Sequence, residues 1–278
     1  MEKIKSRKQI KNEIAVVIFT KNEEINLSQC LKSVKNFENI YVIDSQSTDG
    51  TTEIAKTFGV EVIQFNWDGK YPRKKQWTLK KFVNYEWVLM LDADERITPS
   101  VEYEIREILN KRKYAAAEFP LEYHFCGKKL KFGHSVKKRI LLKPQLCRFP
   151  DVEVEGIGNG DIEFHYQPEV DGDTFNAKSK IIHDEQDPFI VWVKRHVLYA
   201  EIESKLLKHP NKAFQLSRLK SKQGQFFNKL KLKGLIFFIY SYILRGGFLD
   251  GVAGFNYAFN MAWYFHLINT LSKESSKK

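Results

Sequence analysis

The sequence predicts an α/β fold: a mostly parallel sheet with helices on both faces, followed by a helical, basic C-terminal extension. Three observations carry this. Short apolar runs alternate with amphipathic segments up to Leu109. Polar clusters directly follow three of those runs, at Thr20–Glu24, Asp44–Thr51 and Asp92–Asp94. From Pro188 onward the pattern becomes helical and cationic. Strands alternating with helices build parallel sheets, whose ligand sites lie at the strands' carboxyl ends.

Ile14–Thr20 is a continuous apolar run that suits a strand buried on both faces, and Glu24–Val34 follows with Leu27, Cys30, Leu31 and Val34 at helical spacing. Ile40–Asp44 reads as a second strand, Thr51–Phe58 as a helix closed by Gly59, and Val60–Phe65 as a third strand. Pro72–Phe82 reads as a helix opened by proline, Glu86–Leu91 as a strand, and Pro99–Leu109 as a second proline-started helix. After Tyr114 the runs Ala115–Phe125 and Leu130–Leu142 suggest an antiparallel extension, and the Gly/Asp-rich stretch Asp151–Asp173 a mobile loop. The helix expected after Pro188 would gather Ile190, Val193, Val197 and Leu198 on one face, and Lys273–Lys278 would fray. The chain thus divides into an α/β part over residues 1–187 and a helical part over residues 188–278.

At 278 residues, 43% hydrophobic and 28% charged, the chain has the balance of a folded protein rather than a disordered one. Lys and Arg number 45 against 34 acidic residues, a net charge of +11. Between Glu203 and Asp250 there is no acid at all. A cationic stretch of this kind suits an anionic membrane surface or nucleic acid, and the apolar block Leu235–Ile243 favours the membrane over nucleic acid. A solvated basic helix face is the plainer alternative. Three scattered cysteines, Cys30, Cys126 and Cys147, form neither a disulfide framework nor a zinc motif. Met1–Glu13 is polar and basic, unlike a signal peptide. Val252–Thr270 carries Asn256, Asn260, His266 and Asn269, which disfavour spanning a bilayer. Interfacial docking from the cytoplasmic side is the expectation.

Asp92 and Asp94 stand one residue apart at the end of the apolar run Trp87–Leu91, where two hard oxygen ligands suit Mg²⁺ or Mn²⁺ carrying a nucleotide diphosphate. Each cluster alone has a structural explanation: Asn22 as a helix N-cap, Asp49-Gly50 as a turn, Asp94 as a cap. Three of them on one sheet rim point to a ligand site. His183-Asp184 and Arg195-His196 invite a metal or phosphate reading, with a surface arginine and a satisfied histidine as the alternative, and Lys70–Lys75 would steer an anionic ligand.

The runs VVIFTKNEEINLSQCLKSV, IYVIDSQSTDGTTEIA and WVLMLDADE resemble the consecutive signatures of the family 2 glycosyltransferases. The later runs WVKRHVLYAEIE and LRGGFLDGVAGFNYAF are similar to the bacterial subgroup that builds lipopolysaccharide core and exopolysaccharide. The resemblance implies a GT-A fold and an inverting, metal-dependent transfer from a nucleotide-sugar, most often a UDP-sugar, to a glycan or glycolipid acceptor. It implies that Thr20, Glu23 and Asp44 contact the donor's base and ribose, that Asp92 contacts ribose or metal, and that Asp94 ligates the metal. Arg195 would face the diphosphate. The base that deprotonates the acceptor would be Glu163, with Asp161 second, and His165 and Asp184 are further candidates. Many relatives place Glu directly after the histidine, where this chain has Tyr166. Two other readings stay open: a phosphatase of the haloacid dehalogenase type, from the run Leu91–Thr98, and a non-catalytic scaffold that binds a nucleotide or glycan.

Overall fold

The computed structural model describes residues 13–133, 135–150, 166–184, 188–207 and 232–274. Strand β1 (Ile14–Thr20) is buried along its whole length. It lies parallel to β2 (Asn39–Asp44), with β3 (Glu61–Gln64) outside β2, and on its other side parallel to β4 (Trp87–Asp92). Its alternate side chains feed two cores. Val16 and Ile18 join Leu27 and Leu31 of α1 (Leu27–Ser33) and Ala55 of α2 (Thr51–Thr57). Ala15, Val17 and Phe19 join Leu79 of α3 (Lys74–Lys81), whereas Ile105 and Ile108 of α4 (Pro99–Lys111) belong to the first core.

Helix starts differ from the sequence reading for local reasons. Residues 23–26 form a turn, in which the Glu23 carbonyl accepts from the Asn26 and Leu27 amides, so α1 begins at Leu27 rather than Glu24. Pro72 follows a cis peptide bond and precedes α3, whose N-cap is Arg73. Pro99 does open α4, behind a Thr98 cap that accepts from the Val101 amide at 3.3 Å.

Past α4 the sheet continues in mixed sense. The two-residue strand β5 (Glu95–Arg96) is followed by β6 (Ala116–Phe125), β7 (Lys128–Lys129) and β8 (Lys137–Leu142). β8 sits between β4 and β6, antiparallel to both. The expected long strand Leu130–Leu142 is interrupted because Gly133, with φ +79°, donates its amide to the Arg245 carbonyl of the helical region. β9 (Cys147–Arg148) and β10 (Glu169–Val170) form a separate antiparallel pair. β11 (Thr174–Asn176) and β12 (Ile181–His183) run parallel to β6, and β5 closes the far edge antiparallel to β12. The main sheet order is β3-β2-β1-β4-β8-β6-β12-β5. The extension is therefore mixed, antiparallel through β8, β7 and β5 and parallel through β11 and β12, and the carboxyl ends of β1, β2, β4, β6 and β12 share one rim.

The helical region starts with α5 (Phe189–Leu206). Its inward residues are Trp192, Ala200, Ile202 and Leu206; of the expected apolar face Val193 packs and Val197 is half-buried, while Ile190 and Leu198 are exposed. The aromatic contacts decide this: Phe125 at the end of β6 meets both Trp192 and Tyr257. Helix α6 (Lys233–Phe238) continues as a π-helical turn, Ile239–Leu244, and after the 3₁₀ turn Gly247–Asp250 the chain returns as α7 (Gly251–Glu274). The GGFLDG run is structural. Gly246 has φ +72°, and a Cβ on Gly254 would stand 1.9 Å from the Gly247 carbonyl oxygen.

His196 is half-buried, stacked on Trp192 at 3.6 Å, with Nδ1–H donating to the Trp192 carbonyl at 2.9 Å. Burial pushes its imidazole down to about 4, below the ordinary ~6.5 of a free histidine. Unfolded chains bind a proton in that window that the folded chain refuses, so the stabilisation is present above pH ~6.5 and is lost as pH falls towards 4. Thermal unfolding across that range should show a falling midpoint, part of which disappears in His196→Phe. An unchanged pH dependence in the variant would refute the buried neutral imidazole.

Candidate active site

The loops after β1 and β2 are laced to one another. Asp44 is fully buried, and its carboxylate accepts four hydrogen bonds: from Thr20 Oγ1 at 2.8 Å, Ser47 Oγ at 2.5 Å, the Ser47 amide at 2.9 Å and Gln64 Nε2 at 3.0 Å. Burial works against its charge, but the Ser47, Thr20 and Gln64 donors outweigh that and hold the carboxyl below its usual range. Four bonds fill the acceptor sites of a carboxylate. A base N–H or ribose hydroxyl reaching Asp44 has to displace one of these donors. Thr20 is likewise buried. Glu23 is half-buried, accepting from Asn26 Nδ2 at 2.8 Å. Asn22 is a brace between loops rather than an N-cap, its Oδ1 accepting from the Thr48 amide at 2.9 Å, and Asp49 makes the expected turn by accepting from the Thr51 amide. On the other side of the rim Lys74, buried on α3, reaches Ser45 Oγ at 2.8 Å.

Two residues after β4 the chain pairs as β5 with β12, and the two aspartates meet different partners. Asp92 Oδ2 meets Lys138 Nζ of β8 at 2.5 Å. The same ammonium contacts both oxygens of the fully buried Glu95, at 2.7 and 2.8 Å, and Glu95 Oε2 accepts from the Asp92 amide at 2.9 Å. Burial works against the Asp92 charge, yet Lys138 prevails and keeps that carboxyl well below the usual range. Burial, together with repulsion from Asp92 and Asp94, raises the Glu95 carboxyl despite the lysine. Asp94 instead turns to β12. The β5–β12 register sets Glu95 opposite His183, and the Asp184 amide donates to the Asp94 carbonyl at 3.1 Å. This brings His183 Nε2 to 3.7 Å from Asp94 Oδ2.

Asp94 Oδ1 and His183 Nδ1 are both buried and without a hydrogen-bond partner, and the His183 ring stacks on Tyr123 at 4.6 Å. A carboxylate oxygen without a partner beside an imidazole nitrogen at a strand end is a fitting start of a divalent-cation site. Among the described residues no group of three or more His, Cys, Asp and Glu side chains is gathered that could hold an ion by itself. Asp184 is engaged elsewhere, with Arg96 Nη1 at 2.9 Å and His124 Nδ1 at 3.5 Å. Arg195 is half-buried on α5 beside His196. Glu163, Asp161 and His165 lie outside the described residues. Glu95 and Lys138 were not picked out in the sequence. Glu95 carried a signal as an acid following the aspartate pair inside a buried run, whereas nothing distinguishes Lys138 from the chain's other lysines.

Residues 15–149 match the model of glycosyl transferase family 2. That segment holds β1 to β4 and all three rim clusters, so the likeness to these glycosyltransferases covers the GT-A-type α/β domain, and a helical C-terminal region follows it. An uncharacterized glycosyltransferase of Rickettsia typhi is 29% identical over 247 residues, 86% of this chain and 82% of that protein. The lipopolysaccharide core biosynthesis glycosyltransferase LpsC of Rhizobium meliloti is 29% identical over 101 residues, 34% of this chain and 37% of its own. Among solved structures, that of S. aureus TarS residues 1–349 in complex with UDP-GlcNAc aligns with 95% of this chain and 92% of that chain, at 16% identity and a TM-score of 0.45. The match over residues 15–149 speaks against the phosphatase reading, whose motif belongs on a first strand while Asp92 ends the fourth.

Removing Lys138 leaves Glu95 buried beside two more acids. Lys138→Met should cost ~3–5 kcal/mol in urea unfolding, and adding Glu95→Gln should restore much of it. A loss below ~1 kcal/mol, the scale of an exposed pair, would show that the lysine is not holding this crossover.

Proposed function

We propose that this glycosyltransferase takes a sugar from a nucleotide-sugar, with UDP as the favoured carrier, and passes it with inversion to a lipid-linked or lipopolysaccharide-type glycan acceptor at the inner face of a bacterial membrane. The observation that carries this reading is the meeting of Asp94 and His183 on the same sheet rim as Asp44, inside the segment matched to family 2. Family resemblance supports the UDP carrier and inversion, and the likeness to LpsC supports a cell-envelope glycan as acceptor.

Each residue's part follows from its surroundings. Thr20, Ser47 and Gln64 hold Asp44 ionised and buried, so that a nucleoside donor group meets an acceptor whose position is fixed. Glu23 borders that pocket through the turn before α1. Asp92, pinned by Lys138, keeps one fixed orientation towards ribose. Asp94 and His183 are the residues that would hold Mn²⁺ or Mg²⁺, and the mixed oxygen and nitrogen set favours Mn²⁺. A bound divalent cation would offset charge gathering on the departing diphosphate. Lys75, whose charge acts on Asp92 across the rim, would add to that field, and Arg195 would approach the diphosphate from α5. Glu163 would accept the acceptor hydroxyl's proton, with Asp161 as the alternative.

Nucleotide release should be measured with UDP-, GDP-, ADP- and dTDP-sugars, with Mn²⁺, Mg²⁺ or chelator. One donor should be hydrolysed slowly, with metal dependence, and Asp94→Ala should lower that rate about 100-fold or more. Glu163→Gln should keep donor binding, measured by calorimetry, while transfer to a membrane glycolipid extract falls about 10²-fold or more. Donor binding without turnover, even with the extract, would replace the enzyme reading with a binding scaffold.

A further inference from the structure

We infer that the bend between α6 and α7 is a wedge that enters one leaflet of an anionic bilayer; this deepens the membrane location proposed above and rests on it. Leu235, Leu244, Phe248, Leu249, Val252 and Phe259 are each more than half exposed. These side chains lie on the π-helical turn, the 3₁₀ turn and the outer faces of two helices, and ring contacts link Phe248 to Phe259 through Tyr242 and Phe255. Tyr242 lies 6.3 Å from Phe248 and 5.7 Å from Phe255, and Phe255 lies 5.8 Å from Phe259. No single helix among the described residues is long and apolar enough to cross a membrane; the two arms, bent by 72°, meet the length and hydropathy requirement only together. A bent apolar hairpin of this kind suits insertion into an interface rather than a span.

Charge selects lipid as the occupant. Between Glu203 and Glu274 the sequence has one acid, Asp250, and its carboxylate is turned inward, accepting from the Lys131 and Phe132 amides at 2.9–3.1 Å. Lys131 and Arg245 are exposed at the rim of the apolar surface, where they would meet acidic headgroups. Phe132 is held beside the bend, close to Gly246. Behind this surface, Tyr257 on the inward side of α7 packs 5.6 Å from Tyr123, which stacks on His183. The site is thus connected, through Tyr257 and Tyr123, to the side of α7 opposite the surface that would touch lipid.

The test is sedimentation of the full chain with vesicles of phosphatidylglycerol and phosphatidylethanolamine, and with phosphatidylcholine alone. The native chain should bind the anionic vesicles at least tenfold better, and binding should weaken as salt rises. Leu244→Ser/Phe248→Ser/Val252→Ser should lose at least tenfold of that binding while its unfolding temperature and donor hydrolysis stay native. No binding to anionic vesicles, equal binding by the triple variant, or a dimer by light scattering that the triple variant breaks would each overturn the wedge. Donor hydrolysis, measured without lipid, reports separately on the catalytic reading.

Discussion

The ammonium of Lys138, set between Asp92 and Glu95, is the interaction on which the rim depends. It reaches from β8, which pairs with β4 and β6, to the short passage that leads from β4 to β5. Without a cation under that passage, Asp92, Asp94 and Glu95 would place three negative charges within four residues at a partly desolvated strand end. With it, two of the three are bound to one partner, and Asp94 is left to meet β12. The tie is therefore structural and functional at once, since it divides the acidic run into a held portion and an offered portion.

Asp44 shows the same division by other means. Hydroxyls, an amide and a carboxamide hold its charge instead of a lysine, and the result is a loop whose shape is set before any ligand arrives. Pre-set acceptors lose less on binding than floppy ones, because the ordering cost has been met during folding. The glycines of the GGFLDG run play the corresponding part in the helical region, where close backbone contact at Gly247 and Gly254 fixes the bend.

Much of this was legible in the sequence because it is local. The apolar runs named β1, β2 and β4, and the clusters behind them fell on one rim because the strands run parallel. The misread parts depend on partners far along the chain. The α5 face was only partly right because aromatic contacts with Phe125 and Tyr257, rather than helical periodicity, decide which side is buried. Gly133 breaks a promising strand through a bond to Arg245, and the β8 lysine has no local mark. The pairing of Asp94 with His183 follows from a β5–β12 register that no short-range pattern encodes.

That register also bears on how the protein comes to be. Arg96 and Asp184, joined across β5 and β12, are 88 residues apart in sequence, whereas β1 pairs with β2, and β2 with β3, through much nearer crossovers. Distant pairings carry the larger loop-closure entropy and form later. As the chain leaves the ribosome, the nucleotide-side half of the sheet can assemble while Asp94 still lacks its imidazole. Competence at the rim is thus timed to the arrival of β12, and a nascent chain that stops short of His183 is a sheet with an open edge rather than a partial enzyme.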